Sequence, residues 1–103
     1  MKTLRVGGFE VDRVVETEGP FAALDFLLPG ISPDLVAAHS DWLLPRYVDP
    51  ADGRVIMAFQ SFVLRTRRHT ILIDTCVGND KLRPLRPTWH LQRGPFLERM
   101  RAV

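Results

Sequence analysis

The chain has only one cysteine among its 103 residues, Cys76, so an internal disulfide is excluded. It also lacks any run near the ~18 apolar residues of a membrane helix. No apolar stretch follows Met1-Lys2-Thr3-Leu4-Arg5, so no signal peptide is visible and a cytoplasmic protein without a membrane partner is expected. Neither a Walker loop nor a G-x-G-x-x-G turn is present. Histidine is scarce and dispersed: His39, His69 and His90 are thirty and twenty-one positions apart, and none has another histidine or a cysteine within four positions. Zinc takes three or four ligands, usually delivered at close spacings, so no complete metal site is expected here. No serine triad has a supporting motif: Ser32 reads as a helix cap, Ser40 lies in a helix and Ser61 in a strand. A cysteine nucleophile needs a base and an orienting partner. Cys76 has Asp74 two positions away, and the commoner fate of such a cysteine is a small packed side chain. No catalytic residue is assigned.

What is present is an ordinary globular composition, 46% hydrophobic and 25% charged. The net charge of +2 is unevenly distributed. Residues 1–64 carry five Lys/Arg against nine Asp/Glu, and residues 65–103 carry nine against three. Such asymmetry can mark a nucleic-acid surface. Here the arginines are scattered among prolines and apolar residues whose surface their stems can cover, and no nucleic-acid partner is expected.

Along the chain, Phe9–Val15 alternates with period two until Val15, which predicts a half-buried strand. Gly7-Gly8 predicts a hairpin turn joining it to Leu4–Val6. Residues 19–31 read as an apolar loop, opened by Gly19-Pro20, closed by Pro29-Gly30, and in need of cover. Ser32-Pro33-Asp34 starts a helix expected to reach about Trp42, with Pro45 as its stop. Asp49–Gly53 is turn chemistry. Val55–Leu64 and Ile71–Ile73 predict two strands with a hairpin around Arg67-Arg68, apolar enough to be buried on both faces. Residues 79–94 read as an irregular connection. Gly94-Pro95 opens a second helix with Phe96, Leu97, Met100 and Val103 on one face, and no C-terminal stop signal closes it. A truncated chain is therefore expected.

The most informative stretch is Ile71–Asp80. An apolar strand delivers a carboxylate, Asp74, at its end, followed by small turn-forming residues. Ends of strands collect ligand-facing groups in α/β architectures, and an aspartate can equally cap its own turn. Ser61-Phe62-Val63-Leu64-Arg65-Thr66 followed by Thr70-Ile71-Leu72-Ile73-Asp74-Thr75-Cys76-Val77-Gly78 resembles the early "sfvlrt … hiLIDTG-G" hairpin of the metallo-β-lactamase superfamily. Val6–Val11 resembles that family's first hairpin, and Phe96–Met100 the helix before its metal motif. Asn79-Asp80-Lys81 and Trp89 resemble the lactonase-like and organophosphate-hydrolase-like branch. One departure stands out, because the family usually has glycine where this chain has Cys76.

The resemblance implies an α+β fold: the N-terminal, β-rich part, with two short helices, of a four-layer αβ/βα metallo-β-lactamase sandwich. Residues 1–103 would form part of a single domain, cut before the His-x-His-x-Asp-His motif. The complete protein would hold two zinc ions and hydrolyse a lactone, an ester or a phosphotriester, a small-molecule substrate, through metal-activated hydroxide. This chain alone would bind no zinc and be inactive. Asp74, Thr75 and Gly78 would support the site without ligating metal, and Phe21 and Phe26 would wall the substrate pocket. The alternative is a small non-enzymatic β-rich interaction module with a basic C-terminal half.

Overall fold

The computed structural model describes residues 2–103. Among them the elements run β1 (Leu4–Val6), β2 (Phe9–Ala23), α1 (Leu24–Leu27), α2 (Pro33–Ala38), α3 (Ser40–Leu43), β3 (Arg54–Arg65), β4 (Thr70–Ile73) and α4 (Phe96–Arg101). The fold is α+β: one antiparallel four-stranded sheet in the order β1-β2-β3-β4, with short helices. Among the described residues, no helix is long and apolar enough to cross a membrane.

Both hairpins fall where the turn residues place them. Val6 pairs with Phe9 across Gly7-Gly8, and Gly7 takes a left-handed φ of +59° that a tight two-residue turn demands. Arg65 pairs with Thr70 in the second hairpin. Thr66 closes that turn, its hydroxyl accepting the N–H of Arg68 (3.2 Å) and of His69 (2.9 Å).

The chain divides into two compact units, Met1–Thr17 with Phe59–Val103, and Glu18–Ala58. In the first, the core is Val14, Val63 and Phe96, with Cys76 and Met100 packed against it. Strand alternation puts Val14 and Glu16 on the buried side of β2, and Ser61 and Val63 on that of β3. In the second unit Val48 is buried and bridges Val55, and the Arg54 guanidinium donates to the Phe21 carbonyl (2.9 Å). Turn 49–53 closes with the Gly53 N–H on the Asp49 carbonyl (2.8 Å) and the Ala51 N–H on the Asp49 side chain (2.9 Å).

Several expectations need correction. Residues 19–31 are not all loop: β2 continues through Gly19-Pro20 to Ala23, and α1 follows. Proline's fixed φ is compatible with extended backbone and removes only one ladder donor. The helix begun by Ser32, whose hydroxyl accepts the Asp34 N–H (3.2 Å), does not reach Trp42 unbroken. It breaks at His39 (φ −111°, ψ 13°) and resumes as α3, which ends before Pro45. The break places the Trp42 indole N–H on the His39 Nδ1 (3.0 Å), so four short helices form rather than two. The second hairpin is not buried on both faces: Ile71, Leu72 and Ile73 of β4 are all exposed, because too little packs over the faces of this strand; β4 is also an edge strand, next to β3 alone. On α4, Phe96 and Met100 pack in the core, whereas Leu97, and Val103 beyond the helix end, are exposed.

Candidate functional site

The turn after β4 combines strained backbone with a buried charge. Asp74, Cys76, Gly78 and Asp80 all have left-handed φ values, +68°, +59°, +88° and +57°. Glycine adopts this region freely and Asp tolerates it. For a residue such as cysteine it costs about 1–2 kcal/mol. Asp74 stabilises its own turn, its Oδ1 accepting the Cys76 N–H at 2.7 Å. This is the turn-capping role that the residue types permit, and Asp74 itself is exposed.

The larger restraint comes from Glu16, sixty residues away in β2 and only 3% exposed. Its Oε2 accepts the Val77 N–H at 2.9 Å. Its Oε1 accepts the Gly78 N–H at 2.9 Å and the Gln92 side-chain amide at 2.8 Å. Successive backbone N–H groups aimed at one anion form a nest, an arrangement that elsewhere binds phosphate. Here the chain's own carboxylate occupies it. The Arg99 guanidinium of α4 donates to the Val15 (3.0 Å) and Glu16 (3.3 Å) carbonyls, tying β2 to the helix.

The thiol of Cys76 lies 3.2 Å from the hydroxyl of Ser61, which is fully buried. Burial pushes the thiol pKa above its ordinary value of 9.0; the Glu16 and Asp74 carboxylates push the same way and the Ser61 hydroxyl opposes them. A thiolate is the nucleophilic form. Near neutral pH Cys76 is therefore a protonated, packed side chain, as its place against the Val14–Val63–Phe96 core indicates.

The irregular connection is held at several points. Asn79 and Gly94 exchange two hydrogen bonds, the Asn79 side chain donating to the Gly94 carbonyl (3.0 Å) and accepting the Gly94 N–H (3.1 Å). The Asp80 N–H donates to the Gln92 carbonyl (3.0 Å), and Trp89 meets Phe59 edge to face. A recess of about 420 Å³ opens beside the turn, with Thr75, Gly78 and Asn79 on one side and Leu72, Phe96 and Met100 among its apolar walls.

Asp74, Thr75 and Gly78 thus belong to one turn, and Thr75 and Gly78 share a recess. Phe21 and Phe26 lie in the other unit, Phe26 exposed on α1. The apolar recess of that unit, lined by Leu24, Leu28, Leu35, Val36 and Trp42 among others, includes neither phenylalanine. His39 and His90 each use Nδ1 as an acceptor, from Trp42 (3.0 Å) and from the Arg83 N–H (2.9 Å). Among the described residues no group of three or more His, Cys, Asp or Glu is placed to hold a metal ion.

Glu16 was missed by sequence reasoning, although a signal exists. The alternation of β2 places Asp12, Val14 and Glu16 on one face, so a face carrying a core valine delivers a carboxylate two residues later. Comparison with protein-family models, curated proteins and solved structures gave no match.

Proposed function

We propose that this chain is the N-terminal part of a metal-dependent hydrolase of the metallo-β-lactamase type, acting in the cytoplasm on a lactone, another ester or a phosphotriester. One observation carries the reading. Cys76 occupies the position where the family pattern has glycine, and its φ is +59°. A glycine there would be selected for the conformation that this backbone adopts. A positive φ at this position is compatible with a glycine pattern and supports the reading.

The arrangement of β4 and α4 is a second support. β4 is an edge strand whose Ile71–Ile73 are exposed, and a helix follows it. Strand, helix and a further parallel strand is the ordinary crossover unit. An added strand and layer would cover these side chains, as a four-layer sandwich requires. Zinc ligands would have to come from outside residues 2–103, and no catalytic step is assigned to residues of this chain.

The experiment compares the complete gene product with its Asp74→Asn and Asp74→Ala variants. Asparagine keeps the Oδ1 acceptor of the turn and is at ease at positive φ. Asp74→Asn should leave the melting temperature unchanged while lowering zinc affinity or hydrolysis about 10–100-fold, as loss of a group that orients ligands does. Asp74→Ala should also lower the melting temperature. A wild-type protein that binds no metal and cleaves no lactone, ester or phosphotriester would sink the proposal. Unchanged activity in Asp74→Asn would reduce Asp74 to a turn cap.

A further inference from the structure

The two hairpin turns lie at the same end of the antiparallel sheet, since β1/β2 and β3/β4 are its two tight hairpins. A recess of about 360 Å³ is formed there by Arg5, Gly7 and Gly8 from the first hairpin and Arg65, Thr66 and Arg67 from the second. Three arginines line it against one carboxylate, Glu10. Arg5 reaches Glu10 through Nη2 at 2.8 Å, and Arg65 reaches Asp12 through Nη1. Each guanidinium carries five N–H donors, so both retain donors beyond these contacts. Arg67 has no ion pair or side-chain hydrogen bond among the described residues, and neither has Arg68 beside it. Part of the positive surplus of residues 65–103 is thus concentrated at this end of the sheet, against the −4 balance of residues 1–64.

We propose that this recess binds a phosphate-type oxyanion, with Arg67 as its principal donor and Arg5 and Arg65 flanking. Planar guanidinium forks match tetrahedral oxyanions in geometry as well as in charge. Glu10 and Asp12 each hold one of the flanking arginines through an ion pair. The site is independent of the hydrolase reading and lies at the hairpin-turn end of the strands, whereas Asp74 follows the opposite end of β4.

The test is equilibrium dialysis of the full chain against radiolabelled inorganic phosphate at low ionic strength. Saturable binding at one site is expected, weakened about tenfold or more in Arg67→Ala, in line with the loss of one charge-assisted contact. Arg101→Ala, which removes one exposed charge from α4, should leave binding unchanged. Arg67→Gln keeps a polar side chain but removes the charge, and should lose binding as Arg67→Ala does; circular dichroism checks that both variants fold. Non-saturable uptake, or equal weakening by Arg67→Ala and Arg101→Ala, would show diffuse charge only and overturn the proposal. A second arm uses phosphoserine as competitor. Tighter binding than inorganic phosphate assigns an organic phosphate monoester, and equal or weaker binding assigns free phosphate.

Discussion

Removing the Glu16 carboxylate is the sharpest perturbation the structure offers. Glu16→Ala leaves three donors without an acceptor: the Val77 and Gly78 N–H groups and the Gln92 amide. A hydrogen bond to a charged group contributes about 1.5–3 kcal/mol net. The three share one carboxylate, so their contributions do not sum. Breaking a buried charged arrangement from one side typically costs about 3–5 kcal/mol. The left-handed turn at Cys76 would also lose the contact that opposes its ~1–2 kcal/mol strain. We expect Glu16→Ala to lower stability by about 3–5 kcal/mol, a large share of the ~5–15 kcal/mol of a small domain. Glu16→Gln keeps one carbonyl acceptor but turns an NH2 group toward a backbone donor, and should cost about half as much on the same scale. Urea unfolding followed by circular dichroism measures both, and hydrogen exchange at Val77 and Gly78 measures the local effect. If Glu16→Gln unfolds within about 0.5 kcal/mol of wild type, the ordinary range for a surface substitution, and both amides stay protected, the clasp does not hold the turn.

Three other outcomes follow from the same geometry. The Thr3 hydroxyl (2.6 Å) lowers the Asp12 pKa below its ordinary 3.8; partial desolvation opposes this, and the Arg65 guanidinium adds to the lowering. Stability from Asp12 is therefore present above pH 3.8 and is lost as pH falls through the lower folded-state value, so Asp12→Asn should flatten the acid limb of a pH–urea profile; an unchanged limb would refute this. Cys76 should react with iodoacetamide more slowly than free cysteine at pH 8 and speed up in denaturant, and rapid alkylation of the folded chain would contradict its raised pKa. Ser32→Ala should cost about 1 kcal/mol through loss of the α2 cap; a thermal melt that does not shift would mean the helix start rests on Pro33 alone.

The hairpins were legible because their signals are local. Gly7-Gly8 and the Thr66–His69 turn specify strand ends within a few residues, and the Ser32-Pro33-Asp34 start and the Asp49–Gly53 turn are equally local. What failed depends on tertiary partners. β2 runs on through Gly19-Pro20 as a strand whose neighbour in the sheet is β3, a partner distant in sequence. The break at His39 trades helical continuity for the Trp42–His39 hydrogen bond, with Trp42 also edge-on to Tyr47. Apolar periodicity identifies a face that prefers cover, and it predicted burial for Ile71–Ile73. Whether cover exists depends on what packs against that face, and Ile71–Ile73 stay exposed. Glu16 was the hardest to see, because its partners are backbone N–H groups some sixty residues away.

Local rules are broken most densely in one place. Of the four non-glycine residues at positive φ, three fall between Asp74 and Asp80, and the one buried carboxylate of the described residues is the group that clasps this turn. A stretch chosen only for local backbone ease would place glycine at 76. Replacing cysteine with glycine relieves left-handed strain but forfeits the packing of Sγ on the Val14–Val63–Phe96 core and the contact with Ser61. The cysteine therefore costs local strain and gains tertiary contact, and the nest above it is satisfied internally rather than left open for a ligand. Such a turn is held from both sides, and strain that the surroundings over-determine clusters at functional sites. It holds the exposed Asp74 at the end of β4, with its Oδ1 on the Cys76 N–H.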